Sequence, residues 1–212
     1  MYPKKKKPKL HGTCKMDNQK IFEDIMALAR EKGVSDVVII SPDTIPVDKK
    51  FAGFCKEPGC PGYNQSMSCP PHAKDPDWFQ SKIKSYTHAL VFKYDVPTTS
   101  LLGNERLDLL GLIHETAAQL ETFAKEKGLS RAKGFAGGSC KEVFCDDHAN
   151  CKVVYEKGPC RNPDKARQSM SAAGINFLEL SKSVGWEMKV ITTETNPKKI
   201  PTGIVAGLVL LE

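Results

Sequence analysis

HALVFKYDVPTTSLLGNERLDLLGLIHETAAQLETFAKEKGLSRAKGFAGGSC, residues 88–140, is the stretch on which the fold turns. Its opening segment, His88–Val96, is rich in β-branched and aromatic residues and is closed by Pro97, so it reads as a strand. Residues 104–127 then place Leu107, Leu110, Ile113, Ala117, Leu120 and Ala124 at helical spacing and stop at Gly128. Arg131–Ala136 is extended again. Strand, helix and strand in this order make a βαβ crossover, which favours a right-handed parallel pair. The second strand runs directly into Gly137, Gly138, Ser139 and Cys140, and open α/β sheets hold ligands in the loops beyond the carboxyl ends of their strands.

Working outward, Asn18–Lys32 is an amphipathic helix stopped by Gly33, and Val34–Ser41 is a β-branched strand bounded by Gly33 and Pro42. Asp75 or Asp77 caps a helix through Trp78, Phe79 and Ile83. Asn162 is placed to cap a helix that begins at Pro163 and ends near Gly174. A short helix over 177–184 follows, and the segments 186–195 and 203–211 read as two antiparallel strands. The expected architecture is α/β, with a mixed, mainly parallel central sheet flanked by helices and two cysteine-rich metal-binding loops at one edge.

The 212 residues are enough for one large domain with its own core. Net charge is +6, and Lys4, Lys5, Lys6, Lys7 and Lys9 supply most of it, so the rest of the chain is close to neutral. Residues 1–16 are therefore expected to be a basic disordered tail and 17–212 a single α/β metal-binding domain. No aromatic residues are interleaved with the lysines to suggest specific nucleic-acid binding. The apolar run Ile204–Leu211 is far shorter than the roughly 20 residues of a membrane span and reads as a buried strand. With no secretory pattern after the basic residues, a reducing cytoplasm is expected, where eight cysteines imply metal or thiol chemistry in preference to disulfides.

Seven of those cysteines fall into two groups. Cys140, Cys145, Cys151 and Cys160 form C-x4-C-x5-C-x8-C, while Cys55, Cys60 and Cys69 form C-x4-C-x8-C-P-P-H. Four thiolates match the ligand number of a 4Fe-4S cluster and equally that of a four-cysteine zinc site. Zinc sites usually repeat a tight pair of cysteines, and only one pair in the second group has such spacing, which favours the cluster. The first group offers three thiolates for a second cluster, with His72 as a candidate fourth ligand. Alternatively, both groups serve one site. Arg161 and Arg167 are candidate cofactor-binding residues through their charge, or else surface partners of Asp146, Asp147 or Asp164. Zinc is the alternative metal, and a cysteine-dependent sulfur-transfer enzyme is a further alternative. Walker, G-x-G-x-x-G, H-E-x-x-H and G-x-S-x-G motifs are absent from the sequence.

C-x4-C-P-G-Y-N-x4-C-P-P-H at Cys55–His72 and G-G-S-C-K-x2-F-C-x5-C-x8-C-R-N-P-D-x-A-R-x-S-M-S-A-A-G-I-N at Gly137–Asn176 resemble a family of uncharacterised predicted metal-binding proteins found chiefly in anaerobic microbes. The resemblance implies metal binding with iron–sulfur favoured, and a place in cytoplasmic anaerobic metabolism. An electron-transfer or cluster-dependent redox role, with a redox partner protein, is the expectation that follows.

Overall fold

The computed structural model describes residues 13–212, with side chains from Gln19 onward. The expectation for the basic tail falls largely outside the described residues, as does the side chain of Cys14. The chain begins with α1 (Thr13–Glu31), β1 (Asp36–Ile40), the one-turn α2 (Lys49–Gly53) and α3 (Pro76–Ile83). It continues through β2 (His88–Pro97), the short α4 (Thr98–Leu102), the long α5 (Arg106–Glu126) and β3 (Lys133–Ala136). It ends with α6 (Cys140–Phe144), α7 (Lys152–Tyr155), β4 (Gln168–Ser169), α8 (Phe177–Ser183) and β5 (Thr202–Leu211).

The five strands form one sheet in the order β1-β2-β5-β3-β4. Most of it is antiparallel: β2 pairs antiparallel with β1 and along its whole length with β5, and β5 pairs antiparallel with β3. Only β3 and β4 pair in parallel. The expected mainly parallel sheet is therefore corrected. β2 and β3 do run in the same direction, with α5 crossing between them, but β5 lies between and opposes both, which is a split βαβ unit. The C-terminal strand takes this central place because its residues from Val205 to Leu211 are all buried, and a strand with apolar side chains on both faces is most stable where neither face meets water.

Strand alternation divides the core into two layers. Leu90, Phe92, Tyr94 and Val96 of β2 pack with Val205, Val209 and Leu211 against α1 and α5. Ala89 and Val91 pack with Ala206, Leu208, Leu210 and Phe135 on the other face, with Phe79, Ile83 and Leu180 from α3 and α8. Asp75 caps α3 by accepting from Trp78 N–H at 2.8 Å, as its position before Pro76 suggests.

Two expected elements do not form. Residues 186–195 are not a strand: Trp186 is buried, with its indole N–H donating to Asp36 at 2.8 Å, but the segment beyond it is irregular. Both edges of β5 are already occupied by β2 and β3, so no hairpin place is left for it. Nor does a helix run from Pro163 to Gly174. Ala166 N–H closes a single turn onto Asn162 at 2.9 Å, after which Ser169 and Met170 donate their backbone N–H groups to Ser68 and Ala136. Donors held across to β3 and a neighbouring loop are not available for a helical ladder.

Gly207 faces Phe92 across the β2–β5 ladder, and the aromatic ring fills the space that a side chain at 207 would need. A Cβ there would also stand 3.1 Å from the Phe135 carbonyl oxygen. Gly207→Ala is expected to destabilise the fold by about 1–3 kcal/mol, the usual cost of overpacking a core. Urea unfolding checks this, with a lowered midpoint at unchanged slope as the expected result.

Candidate metal centre

The first cysteine group is built from tight turns. Cys55 opens a single wide turn over Cys55–Gly59, and Cys60 N–H returns to the Cys55 carbonyl at 3.0 Å, bringing the two ends of the x4 spacing together. Cys69 closes a turn onto Ser66 and then accepts from both His72 and Ala73 N–H through its carbonyl. Cys69 is buried, Cys55 half-buried and Cys60 exposed. His72 is engaged elsewhere, its Nε2 lying 2.8 Å from Asn64 Oδ1 and its ring edge-on to Tyr155.

The second group follows β3 as anticipated, but short helices carry part of it. Cys140 is the first residue of α6, Cys145 ends that helix, and Cys151 precedes α7, whose last residue closes onto the Cys151 carbonyl at 3.0 Å. Cys140, Cys145, Cys151 and Cys160 together line one small pocket with a cavity volume of about 20 Å³. Parts of Lys141, Lys152 and Arg161 line it too; the Lys141 ammonium donates to the Cys145 carbonyl at 2.6 Å, and the Arg161 charge acts on the Cys145 thiol. Asn162 supplies two donors to sulfur: its backbone N–H to Cys160 at 3.4 Å and its amide Nδ2 to Cys145 at 3.3 Å. Asn162 was expected as a helix cap; its C-terminal proximity to Cys160 was the only signal in the sequence for this other role.

The two groups touch. Gly62 sits against the Ser139 side chain and Cys69 Sγ so closely that an added Cβ would lie 2.7 Å from Ser139 Cβ and 3.3 Å from that sulfur. Cys140 N–H donates to Ser68 Oγ at 3.3 Å, Tyr155 Oη donates to the Asn64 carbonyl at 2.8 Å, and Ser66 lines the pocket of the four cysteines. All seven described cysteines are free thiols.

The two arginines separate. Arg161 stays at the pocket, donating to the Asn150 carbonyl at 3.0 Å and to Glu156 at 3.3 Å, so its carboxylate partner is none of Asp146, Asp147 or Asp164. Arg167 is taken into a buried ion pair instead, with Nε 2.8 Å from Glu121 Oε2, although the N–H is not directed for a hydrogen bond. Its backbone N–H donates to His114 Nδ1 at 3.1 Å, and its guanidinium also holds the Pro163 and Ala166 carbonyls. Glu121 further accepts from Gly134 N–H at 2.7 Å and pairs with Lys125. Burial alone would raise the Glu121 carboxyl; Lys125, Gly134 and Arg167 outweigh it and hold the group below its usual range. This network pins the segment after Cys160 to α5 and β3.

Burial pushes the Cys55 thiol up to about 11, and the nearby Cys60 and Cys69 add to the rise. Burial also raises Cys140 against hydrogen bonding from Ser68 and Ser66, and raises Cys145 against the Asn162 hydrogen bond and the Arg161 charge. Neutral thiols are thus the stable form here until a cation compensates the thiolate charge. The donor set fits a thiolate-held metal in three respects: soft ligands line one pocket, Asn162 N–H groups and the Arg161 charge act on their sulfurs, and Ser139 Oγ is a buried hydroxyl without a partner beside Cys140. Among the described residues no three Cys, His, Asp or Glu side chains converge closely enough to grip a single ion.

The chain belongs to the family described as "Predicted metal-binding protein (DUF2284)", whose model matches residues 38–211 and so spans both cysteine groups. No match was found among curated proteins or among solved structures. Among the described residues no helix is long and apolar enough to cross a membrane.

His114 is fully buried against Phe144, a residue of the cysteine pocket, and burial with the Arg167 charge beside it lowers its imidazole to about 4 from the usual 6.5. An unfolded chain takes up this proton near the ordinary value, whereas the folded one resists until much lower pH. Stability from the neutral ring is therefore complete above the unfolded value and declines as pH falls toward the folded one. His114→Asn keeps an acceptor near the Arg167 N–H, and it is expected to flatten the loss of stability between about pH 6.5 and pH 4. Denaturant midpoints measured across that range test this; parallel curves for the two proteins would reject it.

Proposed function

We propose that the protein holds a 4Fe-4S cluster on Cys140, Cys145, Cys151 and Cys160, and that Cys55, Cys60 and Cys69 serve a second centre beside it. The observation that carries this reading is four free thiols lining one pocket, with two hydrogen-bond donors from Asn162 directed at their sulfurs. Such a surround favours an anionic thiolate-bound group. A zinc ion held by four thiolates at about 2.3 Å draws the sulfurs within roughly 4 Å of one another, whereas a cluster spreads them apart. The single tight spacing among the four cysteines leans toward the cluster.

When bound, a cluster supplies one-electron transfer. The chain's own part is to seat it, shield it, and offset its charge with Arg161 and the two Asn162 donors. Cys60, exposed at the first group, marks the side from which a redox partner protein would exchange electrons. A reducing cytoplasm is the compartment that keeps these thiols available.

Protein purified without oxygen is expected to be brown, to absorb broadly near 400 nm, and to contain iron and acid-labile sulfide in equal amounts. Cys145→Ser is expected to lower iron and sulfide by about half or more while leaving the sheet intact by circular dichroism. A colourless protein with stoichiometric zinc would reject the cluster in favour of a zinc-stapled module.

A further inference from the structure

We infer that Ser139, although it directly precedes Cys140 of the second group in the chain, serves the first group: its hydroxyl is a hydrogen-bond donor to the cluster held by Cys55, Cys60 and Cys69. The inference rests on the cluster reading above and adds to it a contact that tunes one centre and not the other.

A serine placed just before a helix ordinarily turns its hydroxyl back to accept from a backbone N–H of the first turn. Ser139 holds that place before α6 with the usual extended backbone, yet its side chain makes no such bond. The residue is only 2% exposed, and among the described residues its Oγ has no hydrogen-bond partner. A hydroxyl that neither caps a helix nor meets water or another polar group has given up the hydrogen bonds it made in the unfolded chain. Native proteins seldom leave that loss uncompensated.

The surroundings of the hydroxyl show where the compensation lies. Gly62 is buried against it, and the position that a Cβ would take at 62 is 2.7 Å from Ser139 Cβ, 3.1 Å from Ser139 Oγ and 3.3 Å from Cys69 Sγ. The hydroxyl and the buried Cys69 sulfur therefore flank one crevice, which the lack of a side chain at Gly62 keeps open. The pocket of the four cysteines, by contrast, is lined by Cys140 but not by Ser139. Consecutive residues at the entry to α6 thus face different groups. Ser139 Oγ makes no hydrogen bond to Cys69 Sγ itself, so the acceptor that suits it is the inorganic sulfur of a cluster bound through Cys69. A serine hydroxyl has one proton to give. Donated to cluster sulfur, it stabilises the more negatively charged, reduced state and raises the reduction potential of that centre. A serine that only filled space against Gly62 would be replaced by alanine without effect.

Redox titration of the anaerobically purified full chain, followed by visible absorbance, tests this with the parent, Cys60→Ser and Ser139→Ala. Cys60→Ser identifies the wave of the first centre by removing it. Ser139→Ala, with iron and sulfide at the parental level, is expected to lower that midpoint and leave the other in place. Loss of one hydrogen bond changes the reduced-to-oxidised ratio about fivefold at a fixed potential, or about 40 mV at 59 mV per tenfold. Unshifted midpoints in Ser139→Ala would overturn the assignment of Ser139 alone. So would an equal shift of both waves, the mark of a disturbed wall between the groups, or a loss of iron and sulfide, since a donor tunes a centre without holding it. A parent chain whose only wave survives Cys60→Ser would remove the second centre and this inference with it. A parent chain without iron and sulfide would overturn the whole cluster reading.

Discussion

Hydrogen bonding along both edges of β5 is the constraint from which the rest of the structure follows. With β2 on one side and β3 on the other, the C-terminal strand separates the two strands that α5 connects. α5 must then cross a wider span, and its length of 21 residues suits that passage over the sheet. The same pairing sets the register of β3 through Phe135 and Leu208, and thereby the point at which the chain leaves the sheet at Gly137 and enters the second cysteine group. Gly134 allows the close approach of α5 to β3, since a Cβ there would meet the Ala117 carbonyl at 2.8 Å.

From that point a buried polar network takes over from apolar packing. Glu121 on α5 gathers Lys125, Gly134 and Arg167, while His114, two turns earlier on the same face of that helix, accepts the Arg167 N–H. Removing one member of a buried ion pair leaves an uncompensated charge, so such a network costs more to break than it contributes to stability when whole. Here it draws residues 167–169 out of a helical path and onto β3. Ser169 then reaches Ser68, and the first cysteine group is carried against the second.

The chemistry at that junction is governed by desolvation. Buried thiols resist ionisation, and the close spacing of several sulfurs adds mutual repulsion to the cost of burial. Asn162, Arg161, Ser66 and Ser68 oppose this with donors and charge but leave Cys140 and Cys145 above their ordinary values. A family defined by predicted metal binding is consistent with this imbalance, because a bound cation supplies the missing compensation and couples its own binding to the ordering of the loops.

Local pattern determined a good part of this protein from sequence alone. The spacing of Ile113, Ala117, Leu120 and Ala124 was enough for α5 and the apolar, aromatic run 88–96 closed by Pro97 for β2, while Asp75 or Asp77 placed the start of α3 to within two residues. Each is a short-range property, written in periodicity or in capping. What only the tertiary structure decided is non-local: that β5 inserts between β2 and β3, that 186–195 finds no strand to pair with, that 163–174 is unwound by donors committed elsewhere, and that Arg167 belongs to Glu121 while Arg161 belongs to the pocket. Strand neighbours and the partners of a buried charge are chosen by competition among segments far apart in the chain, and no local pattern records the outcome of that competition.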